Sequence, residues 1–152
     1  MQRGSKTGQQ IYELIVEYDV VTSASVSHLY CRSVSTLANS LIASVGNNCT
    51  NLASSEMGYA YLLCNNNIST YLLVYSASGS LLMNVSQSVV PLFYTCLTAY
   101  ANYVAFTVDS SIYAYQISGS VLWTYTFASH TNSSVFVTDI TIYNAWAVAI
   151  TN

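Results

Sequence analysis

Apolar and polar residues follow one another along this chain in short runs with no sustained helical period. Ile112-Tyr113-Ala114-Tyr115-Gln116-Ile117 is β-branched and aromatic, and Tyr71-Leu72-Leu73-Val74-Tyr75 has the same character. Both predict strands, as do Tyr103-Val104-Ala105-Phe106 and Trp146-Ala147-Val148-Ala149. One stretch reads two ways: Ile11 to Tyr18 fits a strand or the start of a helix.

The runs recur. Ala38-Asn39-Ser40-Leu41-Ile42 returns as Ser78-Gly79-Ser80-Leu81-Leu82 and again as Ser118-Gly119-Ser120-Val121-Leu122, forty residues apart each time. Asn39, Gly79 and Gly119 hold the central place, where residues that tolerate positive φ suit a two-residue hairpin turn. Phe93 to Tyr100 matches Phe136 to Tyr143 at a shift of 43, with Phe, Thr and Tyr in register. A unit of four short strands over about forty residues is the signature of a β-propeller blade. The expected architecture is all-β: a partial propeller of about three and a half four-stranded antiparallel blades. A polar segment 1–10 precedes blades at 11–46, 50–86 and 91–127 and a half blade at 134–152. Propellers close with about four to eight blades, so the chain is expected to be a fragment of a larger propeller or one part of an assembly.

The third unit carries a more detailed resemblance. Ile112 to Trp123 resembles the repeat of the quinoprotein-dehydrogenase-like (PQQ-type) β-propellers, whose pattern is a strand ending in Tyr-Ala, a small polar turn with Gly, then Trp four residues on; Gly119 and Trp123 stand at that spacing. In that family the Trp docks against the neighbouring blade, which implies a structural role for Trp123. Met83 and Ala43 stand in the Trp place of the earlier units. Dehydrogenase members of the family imply a quinone, a Ca²⁺ and a catalytic Asp.

Composition narrows the function. The chain has 152 residues, of which 53% are hydrophobic, 14 are Tyr and only 6% are charged, with net charge −3. Disorder needs low hydrophobicity or high net charge, nucleic-acid binding needs a basic footprint, and a coiled coil needs charged heptads; each is excluded. No apolar run approaches the roughly 20 residues of a transmembrane helix. A membrane β-barrel is disfavoured, because barrel strands of about 9–11 residues exceed these runs. Met1 to Gln10 lacks the apolar core of a signal peptide, which points to a processed precursor or a piece of a larger reading frame. Four sequons, at Asn48, Asn67, Asn84 and Asn132, favour a secreted or luminal setting and N-glycosylation. Cys31, Cys49, Cys64 and Cys96 read equally as half-buried thiols or as one or two disulfides.

Candidate chemistry does not assemble. Glu13, Glu17, Asp19, Glu56, Asp109 and Asp139 form no calcium-loop pattern. Asp109-Ser110-Ser111 reads as a hairpin turn. His28 and Cys31 have an H-x-x-C spacing, but i and i+3 on a strand face opposite ways. His130, Asp139 and a serine make no nucleophile elbow. Arg32 could line a channel and hold an anion, although an Arg more often reaches to a rim. Alternating Tyr could bind carbohydrate or peptide, but more often packs between blades. No catalytic, cofactor or metal site is therefore expected. The expected function is a non-catalytic scaffold or protein-interaction module, with a protein partner or further blades (its own oligomer or a missing segment) and no nucleic acid. The alternative is the remnant of a quinoprotein dehydrogenase whose catalytic residues lie outside this chain.

Overall fold

The structure, a computed structural model, describes residues 2–7, 10–46, 48–89, 91, 95–128 and 135–151, and for 2–7 the backbone alone. Among these residues every regular element is a strand. The first sheet runs in order from β1 (Gln2–Thr7) through β2 (Gln10–Asp19) and β3 (Ala24–Ser33) to β4 (Asn39–Val45). The second holds β5 (Asn48–Ser54), β6 (Ala60–Asn65), β7 (Thr70–Tyr75) and β8 (Leu81–Gln87). The third holds β9 (Leu97–Tyr100), β10 (Tyr103–Val108), β11 (Ser111–Gln116) and β12 (Val121–Thr126). A two-stranded sheet of β13 (Val137–Tyr143) and β14 (Trp146–Thr151) follows. All neighbours are antiparallel. The first strands β1, β5, β9 and β13 touch in succession, so each sheet presents its first strand to a common axis. This is a partial β-propeller of three full blades and a half.

Ile11 to Tyr18 lies within β2, a strand. Tyr12 and Leu14 are buried towards the second sheet, while Glu13 and Glu17 alternate to the other side. That two-residue period excludes the helical alternative. The first sheet also begins earlier than residue 11. β1 occupies the stretch set apart as a polar segment and pairs with β2 from Gln2↔Ile15 to Thr7↔Gln10.

Blade packing follows from strands that are apolar on both faces. β6 and β10 are buried along nearly their whole length. One core, with Tyr12, Leu14, Leu29 and Leu62, lies between the first two sheets. Tyr61, Leu72, Phe106 and Tyr115 fill the next, and Ala105, Ile112, Ile140 and Ile142 the third.

The forty-residue repeat is visible as a recurring β-bulge. Tyr30↔Leu41, Tyr75↔Leu81 and Tyr115↔Val121 pair across the third and fourth strands. The next pairs are Leu29↔Ala43, Val74↔Met83 and Ala114↔Trp123, so each fourth strand carries one extra residue there: Ile42, Leu82 and Leu122. The connections before these bulges differ from the expected two-residue turn. Ser76 N–H donates to Ser80 O and Gly79 N–H to Ser76 O, enclosing a three-residue loop with Gly79 at φ +88°. Gln116, Gly119 (φ +87°) and Ser120 repeat it. A type I turn completed by a left-handed residue gives this geometry.

Asn39 is not a turn residue. Two further pairs, Cys31↔Ser40 and Arg32↔Asn39, lengthen the first blade's hairpin, so Asn39 opens β4. The chain reverses instead between Ser33 and Ala38, with Leu37 at φ +55°.

Candidate functional site

The residues that tie one blade to the next form a series. The Tyr12 hydroxyl, on β2, donates to the carbonyl of Gly58 in the β5–β6 turn. The Tyr61 hydroxyl, on β6, donates to the carbonyl of Ala101 in the β9–β10 turn at 3.3 Å. The Trp123 indole N–H, on β12, donates to the carbonyl of Ala145 in the β13–β14 turn at 3.0 Å. Each blade thus holds the first hairpin turn of the next through a ring-bearing polar tip. Burial pushes the Tyr12 hydroxyl far above the ordinary tyrosine range, with the neighbouring Cys31 adding to the shift. Burial also raises Tyr61 and Tyr115. Tyr12 and Tyr61 are thus held as neutral donors, while the neutral Tyr115 hydroxyl accepts from the Gln87 side-chain amide.

Trp123 lies beside a hollow of about 460 Å³ lined by Trp123, Ala145, Trp146 and Ala147. Next to it runs β14, which takes the place in its sheet that β2, β6 and β10 take in theirs. Those three strands are paired on both sides, whereas β14 has only β13 beside it among the described residues. Ala147 and Ala149 pack towards the third blade. Trp146, Val148 and Ile150 point the other way and are 81%, 67% and 59% exposed. The result is an open sheet edge flanked by a row of large apolar side chains. Sequence reasoning had the strand but not its exposed face, although the large–Ala–large–Ala alternation from Trp146 to Ile150 was the available signal.

The remaining candidates stay apart. His28 faces away from the second blade, beside Glu17 (3.7 Å) and Ser44 (2.9 Å), while Cys31 is buried in the first core. Arg32 is exposed on β3, the third strand from the axis, so it lines no central channel. Asp109, at φ +51°, and Ser110 form the two-residue turn between β10 and β11. The Asp139 carboxylate accepts from Ile140 N–H, and His130 lies outside the described residues. Among the described residues no three His, Cys, Asp or Glu side chains cluster to hold a metal.

Cys49 and Cys64, opposite one another on β5 and β6, form a disulfide. Cys31 and Cys96 are free thiols. Burial raises both above the ordinary range, and the Cys96 thiol donates to Thr138 O at 3.3 Å. Both are poor nucleophiles at neutral pH. Of the sequons, Asn48, Asn67 and Asn84 are exposed, and Asn132 lies outside the described residues. Asn48 and Asn67 border a polar hollow of about 320 Å³ with Asn65 and Asn66.

Two solved structures share this architecture. Over 90% of its length the chain is similar to the β-propeller domain of the Trilobed protease from Pyrococcus furiosus, described as having an open velcro topology, with TM-score 0.53 and 8% identity. Over 90% of its length it is also similar to Pyrococcus horikoshii acylaminoacyl peptidase, with TM-score 0.52 and 5% identity. The chain covers 58% and 33% of those two chains. No family model matches it, and no curated protein is similar to it in sequence. The fold is therefore that of a β-propeller, in part. No helix among the described residues is long and apolar enough to cross a membrane.

Proposed function

We propose that this chain is a non-catalytic β-propeller segment that serves as a protein-interaction module, its contact surface being the half-sheet of β13 and β14. One observation carries the reading: β14, which has only β13 beside it among the described residues, exposes Trp146, Val148 and Ile150 in a row. Edge strands in natural proteins are usually blunted by charge, Pro or a covering segment, and an open apolar edge is a template for another chain. Kinship with the PQQ-type propellers is part of the proposal, supported by Gly119 in its turn and by Trp123 reaching the adjoining blade. A secretory or extracellular setting with glycans at the exposed sequons is also part of it. The Cys49–Cys64 disulfide supports that setting, because such bonds persist in oxidising compartments.

The test is capture by the immobilised chain of a bound protein, a second copy of this chain included. Trp146→Asp should abolish capture, while Leu82→Asp, an exposed change on β8, should leave it intact. Equal capture by both variants would sink the reading, as would turnover of an alcohol or sugar with added quinone and Ca²⁺.

A further inference from the structure

The β2–β3 hairpin is longer than its counterparts. β2 and β3 have ten residues each, against six in β6, β7, β10 and β11. Counted from Tyr12 and Tyr61, which hold the same place in their blades, the surplus lies at the end carrying the turn. The hairpin therefore extends beyond the body of the first blade, beside the β6–β7 turn of the second. The polar hollow of about 320 Å³ lies between them. Ser23 and Ser25 of the hairpin line it, with Gly46 and Asn48 where the chain enters β5, and Asn65 and Asn67 where it leaves β6.

Each of these segments is held in place. Asn48 and Asn65 are cross-strand partners, and the adjoining pair, Cys49 and Cys64, is bridged by the disulfide. Asn66 pins the turn that carries Asn67. Its Oδ1 accepts from the N–H groups of Ile68 (2.8 Å) and Ser69 (2.7 Å), and its Nδ2 donates to the Tyr71 hydroxyl at 2.7 Å. Asp19 closes the hairpin tip, accepting from Val21 N–H and from the Thr22 hydroxyl. The side-chain amides of Asn48, Asn65 and Asn67, by contrast, have no partner among the described residues. Free polar groups on well-supported segments around a concavity are what a ligand site requires.

The lining selects the ligand. No charged residue lines the hollow among the described residues, so nothing there offsets the cost of drying an anion or a cation. Ala24 is the one apolar side chain among them, too little to hold an apolar ligand. Carboxamides and serine hydroxyls each donate and accept, and so do the hydroxyls of a sugar. The volume lies at the small end of the range of about 300–1,000 Å³ for ligand pockets, which leaves room for about one or two sugar rings. An extended peptide would overrun it. We propose that this hollow is a saccharide-binding site in which Asn48, Asn65 and Asn67 supply the hydrogen bonds. It goes beyond the contact at β13 and β14 and does not depend on it. Asn48 and Asn67 also head sequons, so the saccharide has two sources: a glycan of another molecule, or one carried by this chain.

NMR of the asparagine side-chain amides, during titration of the full chain with N-acetylglucosamine, N,N′-diacetylchitobiose and maltose, tests this. In the chain made without N-glycosylation, the amides of Asn48, Asn65 and Asn67 should shift saturably with at least one sugar, with a Kd of about 10 mM or tighter. Asn65→Ala should weaken binding at least about fivefold, as loss of one ordinary hydrogen bond would, with strand dichroism retained. Ser25→Tyr, on the projecting hairpin, should block the hollow by bulk. Asn84→Ala, on β8, and Trp146→Asp should both leave binding unchanged. Shifts with N-acetyl-triglycine amide and none with the sugars would make this a peptide site and overturn the proposal. No saturable shift up to about 50 mM of any sugar would overturn it too. The chain secreted from an N-glycosylating host distinguishes the sources. Loss of sugar binding that Ser69→Ala or Thr50→Val restores assigns the hollow to the chain's own glycan, since these changes remove the sequons of Asn67 and Asn48 but keep their carboxamides. Unchanged binding by the glycosylated chain assigns it to a saccharide of another molecule.

Discussion

Gly79 shows how much one residue of this repeat is asked to do. Its φ is +88°, and a Cβ there would lie 3.0 Å from the carbonyl oxygen of Ile42, the bulged residue of the preceding blade. Left-handed backbone and the close approach of a neighbouring blade both require glycine at this point. Gly79→Val should therefore lower stability by about 2–4 kcal/mol, from backbone strain together with a clash that backbone cannot relieve. Gly46, around which nothing lies within 4 Å, is the comparison; Gly46→Ala should change the urea midpoint little. Similar losses at the two sites would remove the argument. Gly79 and Gly119 were legible because the turn sequence repeats around them. Gly58 occupies the same kind of turn, with Ser55 N–H donating to Tyr59 O, but its flanks Glu56 and Met57 hide the kinship. Leu37 was illegible for a different reason. Nothing in its side chain prefers positive φ, and it adopts that conformation because a longer hairpin places the reversal there.

At the scale of elements, alternation and repetition were sufficient for the strands that bury side chains and insufficient for β1. Gln2–Thr7 has no apolar residue to mark a face, and it becomes a strand through its ladder with β2. The cysteines show the same limit. Their sequence spacing fits several pairings, and only the register of β5 on β6 sets Cys49 opposite Cys64. Their sequence separation is 15, for which the chain-entropy account gives a stabilisation of about 3 kcal/mol. Replacing both by Ala should lower the urea midpoint accordingly, and a reducing agent should lower it in the parent protein but not in the double variant. A reductant effect that persists in the double variant would place the loss elsewhere. The attachment of the half-sheet is a second test at this scale. Trp123→Phe keeps most of the ring but removes the donor to Ala145 O, at a cost of about 1 kcal/mol. Hydrogen exchange should quicken in β13 and β14 while β6 and β10 keep their protection; uniform quickening across all four sheets would show that Trp123 acts on the whole fold instead.

For the whole molecule, the repeat period and the scarcity of charge together made the propeller legible, because strands covered on both faces need few charged residues. What they could not convey was that Glu13, Glu17 and Arg32 share the face turned away from the second blade, since sequence position does not say which face a side chain occupies. The interior that results is rich in neutral acids. Tyr12, Tyr61, Tyr75, Tyr115, Cys31 and Cys96 are all raised by burial above ordinary values of 10.0 for tyrosine and 9.0 for cysteine. The direction fixes the sign of the pH dependence. Below about pH 8 each group is protonated in both folded and unfolded chains, and its contribution is fully present. Above that, the unfolded chain releases protons that the folded chain retains, so unfolding becomes more favourable with each further increase until the folded groups also ionise. The urea midpoint should thus be flat with respect to these groups from pH 7 to about 8 and fall continuously beyond, through the thiol and then the phenol range. Tyr61→Phe should make the fall shallower without moving its onset, because it removes one of the buried phenols that titrate on unfolding and leaves the ring in place; the bond to Ala101 O is lost at every pH and so lowers the plateau. A midpoint that holds through pH 11 would contradict burial as the source of the shifts, since roughly one pH unit above the tyrosine value the unfolded state is already mostly ionised.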